Sequence, residues 1–410
     1  MNKRFVRAAL MACLLGSAAA IATALPLTPA IAKPSGPSVS AAVAKLLKPA
    51  QDAMIAKDFA GAMLLIKQAQ ALPDLTPFDT YSINNFLASA ALGTNDYATA
   101  DTAYEAMAES PALPDTDKAT TMHNATLLAN QFKHYDKTIK YGTAYLALVT
   151  PADPAIIAAM AQSYYFLNDF TNAAALAQKS IDATPAGQPP SRAALEIKLS
   201  SQIKAKQNDA ADLTLEQIVT YYDDPEEWAQ VIELSFTVKP IKDLEALFMY
   251  RLIPAAHAKG AADDYKTAAS LALTNGYPVE AEALLEAGGL PVGADVRGRA
   301  AADRKTVDSF VAIAAKGANG ELDLKAAETL YGYGRYADAE AAARRALQKG
   351  GAKVSANEAN MVLAQALAMQ GKNADAAAAL NAIANPSPGT GKAQHLWLLF
   401  ANRKYAAAAH

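Results

Sequence analysis

Residues 331–350 read YGYGRYADAEAAARRALQKG. Gly332 and Gly334 stand among strong helix formers, although an interior glycine costs a helix about 1 kcal/mol relative to alanine. The stretch has relatives elsewhere in the chain. NDYATADTAYEAMAES (95–110), KHYDKTIKYGTAYLALVTP (133–151) and NDFTNAAALAQKSIDATP (168–185) share its plan: a turn-forming or polar residue, an aromatic two places on, a small residue three later, then an apolar helix. NGYPVEAEALLEAG (275–288) and GKNADAAAALNAIAN (371–385) follow the same plan with the aromatic displaced or lost. The small residue falls at Ala62, Ala100, Thr138, Ala173, Ala281, Ala339 and Ala376. Twelve residues upstream lies another, at Ala50, Ala88, Thr126, Ala161, Ala269, Ala327 and Ala364. The first four of this second set are 38, 38 and 35 residues apart, the period of a helix–turn–helix solenoid unit. Gly276, Gly334 and Gly371 are then expected to end a first helix in the left-handed conformation, and Gly332 to sit in its fraying last turn.

On these residues the chain resembles the tetratricopeptide repeat (TPR) family. Pro154 to Pro185 matches most fully, with Ala161, Tyr164, Phe170, Ala173 and Pro185 at the family's signature places. The resemblance implies an all-α fold, a right-handed α-solenoid. Small pairs suit it physically, because helix axes about 8–10 Å apart leave no room for a long side chain at the crossing. The expected organisation is N-terminal repeats over 33–186, degenerate repeats over 192–288, an irregular connector over 289–320 with one helix from Arg297 to Lys316, C-terminal repeats over 321–385, and a capping helix over 393–410. In the degenerate region Ser201 and Leu213 take the small positions of one repeat. The next runs from Glu226 to His257, with Trp228 near its start and Leu244 replacing the small residue. Connectors are expected at 183–192 and 385–392, and Leu396, Leu399 and Phe400 are expected to cover the last repeat, since a solenoid needs polar-faced ends.

The N-terminus is MNKRFVR followed by AALMACLLGSAAAIATAL, and Ala30-Ile31-Ala32 closes the segment. A basic start, an apolar run and a small-x-small site read as a secretory signal over 1–32. An uncleaved anchor is opposed by Pro26, Pro29 and the weakly apolar Ala and Gly residues. Lipidation at Cys13 is opposed because the apolar run continues beyond it. Cys13 is the only cysteine, so the mature chain must be stabilised by packing without disulfides. The formal charge is −3 and the signal carries Lys3, Arg4 and Arg7, which leaves the mature chain more acidic. Nucleic acid is therefore not an expected partner.

The sequence offers little catalytic chemistry. Its histidines, His123, His134, His257, His395 and His410, show no HExxH spacing, and no metal or cofactor is expected. A GxSxG elbow is missing. In NPSPGTGK (385–392), Pro386 replaces the leading glycine of a phosphate loop and Ala393 its Ser/Thr, so the segment reads as a linker. Gly332-Tyr333-Gly334 follows a helix rather than a strand and is no dinucleotide fingerprint. Asp223, Asp224, Glu226 and Glu227 crowd the start of a helix opened by Pro225, where acids favour the dipole, instead of facing one another across a cleft.

In peptide-binding TPR proteins the second, fifth, ninth and twelfth positions of each first helix line the concave face. Carried over residue by residue, the resemblance selects Asn85 and Ser89, then His123, Leu127 and Asn130, then Gln162 and Tyr165. Steps of three, four and seven place them on one helix face independently. The Lys and Arg of the family's clamp for a C-terminal carboxylate are missing here. The expected function is a non-enzymatic periplasmic scaffold or adaptor that binds a protein or peptide in the cell envelope. A peptidoglycan- or polysaccharide-associated factor is the alternative. YYDDPEEW (221–228), MYRL (249–252) and NGYPVEAEALL (275–285) resemble segments of exported TPR proteins of Gram-negative bacteria, some of which are linked to TonB-type systems.

Overall fold

The structure is a computed structural model that describes residues 38–404. The signal segment over 1–32, with Cys13, lies outside the described residues, as does the end of the chain beyond 404. Two compact units divide the chain, Met1–Ala211 and Asp212–His410.

Unit one is a succession of helix hairpins: α1 (Ala41–Ile55) with α2 (Phe59–Gln70), α3 (Pro77–Gly93) with α4 (Tyr97–Ala108), α5 (Asp115–Gln131) with α6 (Tyr135–Leu146), and α7 (Pro154–Phe166) with α8 (Phe170–Asp182). Then come α9 (Arg192–Lys204) and α10 (Asn208–Tyr221), which spans the division. Each helix packs on the next through α9, and first helices touch one another where α5 meets α7 and α7 meets α9.

One turn recurs throughout. Lys57, Asn95, Lys133, Asn168 and Lys206 all take positive φ, between 58 and 62°. In each case the following amide closes a six-residue ring, as when Asp96 N donates to Ala91 O at 2.8 Å and Asp169 N to Tyr164 O at 2.9 Å. That is the left-handed helix stop with its backbone carbonyl satisfied. The next residue is Asp58, Asp96 or Asp169 in three hairpins, and its carboxylate caps the second helix, Asp96 on Thr99 N at 3.1 Å. The small residue always falls five places after the left-handed one. Ala50, Ala62, Ala88, Ala100, Thr126, Thr138, Ala161 and Ala173 are each 0 or 1% exposed, as close helix crossings require.

This register corrects one expectation. Leu213 is 64% exposed, and the small position of α10 belongs to Ala211, which is buried and lies five places after Lys206. Without an aromatic at the turn, nothing local in the sequence marks where the turn sits; the left-handed residue does.

Unit two contains α11 (Pro225–Ser235), α12 (Asp243–Tyr250), the single turn α13 (Leu252–Ala255), α14 (Ala262–Thr274), α15 (Pro278–Ala287) and α16 (Ala294–Lys316). It continues with α17 (Glu321–Gly332), α18 (Tyr336–Lys349), α19 (Ala356–Met369), α20 (Asn373–Asn381) and α21 (Pro388–Ala401). Here Gly276, Gly334 and Gly371 supply the left-handed residue, and Ala269, Ala281, Ala327, Ala339, Ala364 and Ala376 are the buried small residues. Gly332 is the last residue of α17, as expected, and close contact is a further reason for it. A Cβ there would come within 2.6 Å of Glu280 Cβ, so its lack of a side chain lets α17 approach α15. Both glycines of the 331–350 stretch are thus required, Gly334 for its φ of +70° and Gly332 for contact.

Other elements depart from expectation. The helix of the connector begins at Ala294, three residues before Arg297, and buries only a narrow seam through Ala300, Val307 and Ala314. The segment from Glu226 to His257 does not form a hairpin packed on itself: α11 and α12 barely touch, and both pack on α21. Leu244 is half-buried rather than a crossing residue. The last helix is accordingly more than a cover, because it joins α11 and α12 to α19 and α20. Its buried residues include Leu396, Trp397 and Phe400, while Leu399 is only half-buried. Trp228 of α11 meets Phe400 edge-on at 6.1 Å.

The GTGK segment proves to be the first turn of α21, with Ser387 as N-cap and Pro388 at the first position. That turn already holds a carboxylate: Glu245 accepts Ser387 Oγ at 2.5 Å and Thr390 Oγ1 at 3.1 Å. An anion of the chain's own thus occupies the end of the helix where a phosphate would bind.

Candidate functional site: the first-helix face

The residues selected from the sequence lie on α3, α5 and α7 of unit one, and all are half-buried. Asn85 lies within hydrogen-bonding reach of Tyr81, whose hydroxyl donates to Asp117 of α5 at 2.5 Å. Ser89 Oγ returns to the carbonyl of Asn85 at 2.9 Å. On α5, His123 Nε2 donates to Asp153, the N-cap of α7, at 2.8 Å, and Tyr145 meets the imidazole edge-on at 5.4 Å. Leu127 packs against the cluster of Tyr145, Ile156 and Met160. Asn130 Nδ2 donates to Gln162 Oε1 at 3.0 Å, and Asn130 Oδ1 accepts Ser163 Oγ at 3.2 Å. Tyr165 makes edge contacts with Phe166 and Phe170, each 5.7 Å between centroids. The structure therefore joins Asn130 to Gln162 and places His123 against the start of the next first helix, while Asn85 and Ser89 form a separate pair.

The α3 and α7 parts of the face carry little charge, whereas α9 brings half-buried Lys198 to it at the fifth position of the same register. α7, PAIIAAMAQSYYF, has no ionisable acid or base, and the only one in α3 is Asp79. Asp79 is wholly buried and occupied by its capping box and by Ser40 N at 2.7 Å. Ion pairs link the second helices α4 and α6 instead, Lys137 to Glu105 at 2.6 Å and Lys140 to Glu109 at 2.5 Å.

The same register positions have a different fate in unit two. Counted from Ala327 and Ala364, the fifth, ninth and twelfth positions are Leu324, Glu328 and Tyr331 on α17, and Met361, Gln365 and Ala368 on α19. All of these are buried. α14 differs, with Asp263 and Lys266 of its face exposed and paired with each other at 3.0 Å. Several of the buried groups turn to the α12–α13 segment. Gln365 Nε2 donates to Phe248 O at 3.2 Å, and Gln365 Oε1 accepts Arg251 Nη1 at 3.0 Å. Tyr331 lies over the Arg251 guanidinium, 4.5 Å from its ring centroid. Trp397 of α21 donates to the same Phe248 carbonyl at 2.8 Å.

Arg251 is 1% exposed. Burial alone would lower its pKa, but the Glu280 carboxylate bonded to it outweighs that and raises it. Glu328 lies nearby and accepts the Tyr277 hydroxyl through Oε2, while Oε1 is buried without a partner. Burial pushes its carboxyl above the usual range, more than Tyr277, Arg251 and Lys325 pull it down. The network was not foreseen from the sequence. Its one local signal is an arginine inside the apolar run ALFMYRLIPA, since a lone charge in such a run needs a buried partner.

Among the described residues no group of three or more His, Cys, Asp or Glu is arranged to hold a metal ion. Asp224 caps α11 through Glu226 N and Glu227 N, and Glu226 pairs with Lys259 at 2.8 Å, which gives Asp224 and Glu226 structural roles. No described helix is long and apolar enough to cross a membrane.

Each unit contains TPR-like helix hairpins. No family model matches the sequence, and no curated protein matches it. Among solved structures the chain is similar to a tetratricopeptide repeat protein from Parabacteroides merdae ATCC 43184, at 13% identity over 80% of this chain and 100% of that one, with a TM-score of 0.31. It is also similar to Naa15/Naa10 bound to HypK-THB, at 12% identity over 85% of this chain and 70% of that one, with a TM-score of 0.25. Likenesses of this size carry no functional argument. The architecture stands on the chain's own repeated turns and buried small residues.

Proposed function

We propose that this protein is an exported, non-enzymatic scaffold that binds a protein or peptide partner in the bacterial cell envelope through the first-helix face of unit one. The observation that carries this reading is the contrast between units. Equivalent positions are half-buried on α3, α5 and α7 but buried on α17 and α19, where residues at the ninth and twelfth positions meet the chain's own α12–α13 segment. A stacked-helix protein commonly presents such a face to partners, and amides, a hydroxyl and aromatic rings suit recognition of a polypeptide. Export is supported by the basic start, the apolar run and the Ala30-Ile31-Ala32 site. A component of a TonB-type system is one partner that the sequence resemblance suggests.

The test places a photoreactive amino acid at Ser89 and crosslinks whole cells. A discrete protein adduct in the periplasmic fraction, lost in the combined His123→Ala, Asn130→Ala and Tyr165→Ala variant, is the expected result. Glycan fragments recovered without protein, or an adduct indifferent to the variant, would overturn it. N-terminal sequencing of the mature protein checks export, with Lys33 expected first.

A further inference from the structure

Two histidines tie the α5–α6 hairpin to its neighbours in opposite directions along unit one. His134, the N-cap residue of α6, sets Nδ1 3.3 Å from Asp101 Oδ2 of α4. His123 of α5 sets Nε2 2.8 Å from Asp153 Oδ2 at the start of α7, while the other Asp153 oxygen accepts Ala155 N at 2.8 Å and caps that helix.

The surroundings of His123 suit an imidazolium. Its second nitrogen, Nδ1, faces Asn124 Oδ1 at 3.1 Å. The Asn124 amide is held that way round because Nδ2 donates to the Tyr104 hydroxyl of α4 at 2.9 Å. Both ring nitrogens thus meet oxygen acceptors, and only the charged ring donates from both. A neutral ring requires the Asn124 amide to turn over and the Tyr104 hydroxyl to become the donor, so a proton at His123 is felt as far as α4.

The remaining charges of this region are engaged with one another. Glu105 pairs with Lys137, and Glu109 with Lys140 and Tyr141, between α4 and α6. Glu105 and Lys137 act on Asp101 with opposite sign. Asp115 pairs with Lys118 on α5, and Asp117 accepts the Tyr81 hydroxyl of α3. α7 has no acidic or basic side chain, and Tyr145 of α6 meets His123 only with its ring, edge-on at 5.4 Å. Lys133 and Asp136, which flank His134, are exposed. Asp101 and Asp153 are therefore the counter-charges that the two imidazoles meet.

We propose that the α5–α6 hairpin is a pH-dependent joint of unit one, tightened on α4 and α7 when His134 and His123 take up protons in mildly acid solution and loosened when they lose them. Each proton turns a neutral hydrogen bond into a charge-assisted one, about twice as strong. The contribution is present below the histidine range and is lost as pH rises through it. On the α4 side it also ends in stronger acid, where Asp101, whose carboxyl burial raises against the pull of His134, becomes protonated.

The test follows the imidazole signals of the full chain, carrying isotope-labelled histidine, by NMR from about pH 8 to about pH 5. His123→Gln and His134→Gln assign the signals. Asp153→Asn keeps a good N-cap while removing the counter-charge, and Asp101→Asn does the same for His134. Asp153→Asn is expected to weaken proton uptake by His123 about tenfold, the smaller end of what loss of an adjacent opposite charge produces, and to leave His134 unchanged; Asp101→Asn is expected to do the reverse. In thermal melts the parent's advantage over each variant should grow as pH falls from about 8 to about 6, through the histidine range. Histidine titrations indifferent to both variants, or melting temperatures separated by the same interval at every pH, would overturn the inference. Should an Asn variant fail to fold, the corresponding Gln variant carries the melting comparison, because it keeps an amide donor and takes up no proton.

Discussion

Arg251 donates from Nε and Nη2 to the two carboxylate oxygens of Glu280, at 2.6 and 2.7 Å, and the two side chains are only 1 and 5% exposed. The pair ties the end of α12 to α15, and Gln365 and Tyr331 extend the tie to α19 and α17. Arg251→Ala leaves a buried carboxylate without its counter-ion and is expected to destabilise the protein by about 3–5 kcal/mol. Arg251→Met combined with Glu280→Leu should recover most of that loss, since an apolar pair of similar volume often matches a buried ion pair. Urea denaturation of the single and double variants checks both, and an unchanged midpoint for Arg251→Ala would contradict the assignment.

Glu328 makes stability depend on pH. Its carboxyl is raised by burial in the folded protein, so the unfolded chain releases that proton first. The associated stability is fully present below the ordinary carboxylate range and is lost as pH rises through the higher folded value. Glu328→Gln should therefore melt later than the parent at pH 8, by the equivalent of about 1 kcal/mol for a buried group no longer left charged and half-paired, and the gap should close near pH 4. A difference that is constant across pH would show that the carboxyl is not titrating.

The turn residues give paired tests of opposite sign. Lys133 holds a φ of 61°, a conformation that disfavours any residue with a Cβ by about 1–2 kcal/mol. Lys133→Gly is expected to stabilise by about 1 kcal/mol after the entropy of glycine is counted. Gly332→Ala should destabilise although helix propensity favours alanine by about 1 kcal/mol, because the new Cβ would lie 2.6 Å from Glu280 Cβ. Thermal melts of the two variants should move in opposite directions.

Ala173 is fully buried at the crossing of α7 and α8. Ala173→Leu should lower stability by about 1–3 kcal/mol through overpacking. Leu213→Ala, at the exposed position that the sequence wrongly assigned to a crossing, should change stability by no more than about 0.5 kcal/mol. A large loss at Leu213 would restore the original register.

The seven first-helix residues were recognisable because repeat register and helix geometry say which side chains share a face. Nothing in that register distinguishes Gln162 from Gln365. One is half-buried and the other fully buried because α12 and α21 lie against the second, and contacts between residues more than a hundred positions apart leave no local periodicity to read. The arginine in ALFMYRLIPA marked a need for a partner without saying which one.

Sequence alone determined the hairpins: small residues twelve apart, a left-handed residue between them and a cap after it are local requirements of backbone and side chain, so a local pattern records them. Tertiary structure decided which hairpins stay open. Where α21 packs back on α11 and α12, and Arg251 finds Glu280, the chain fills its own face; at α3, α5 and α7 the same helical geometry meets no such segment among the described residues. Burial depends on what arrives from elsewhere in the chain, and that is a property of packing in three dimensions.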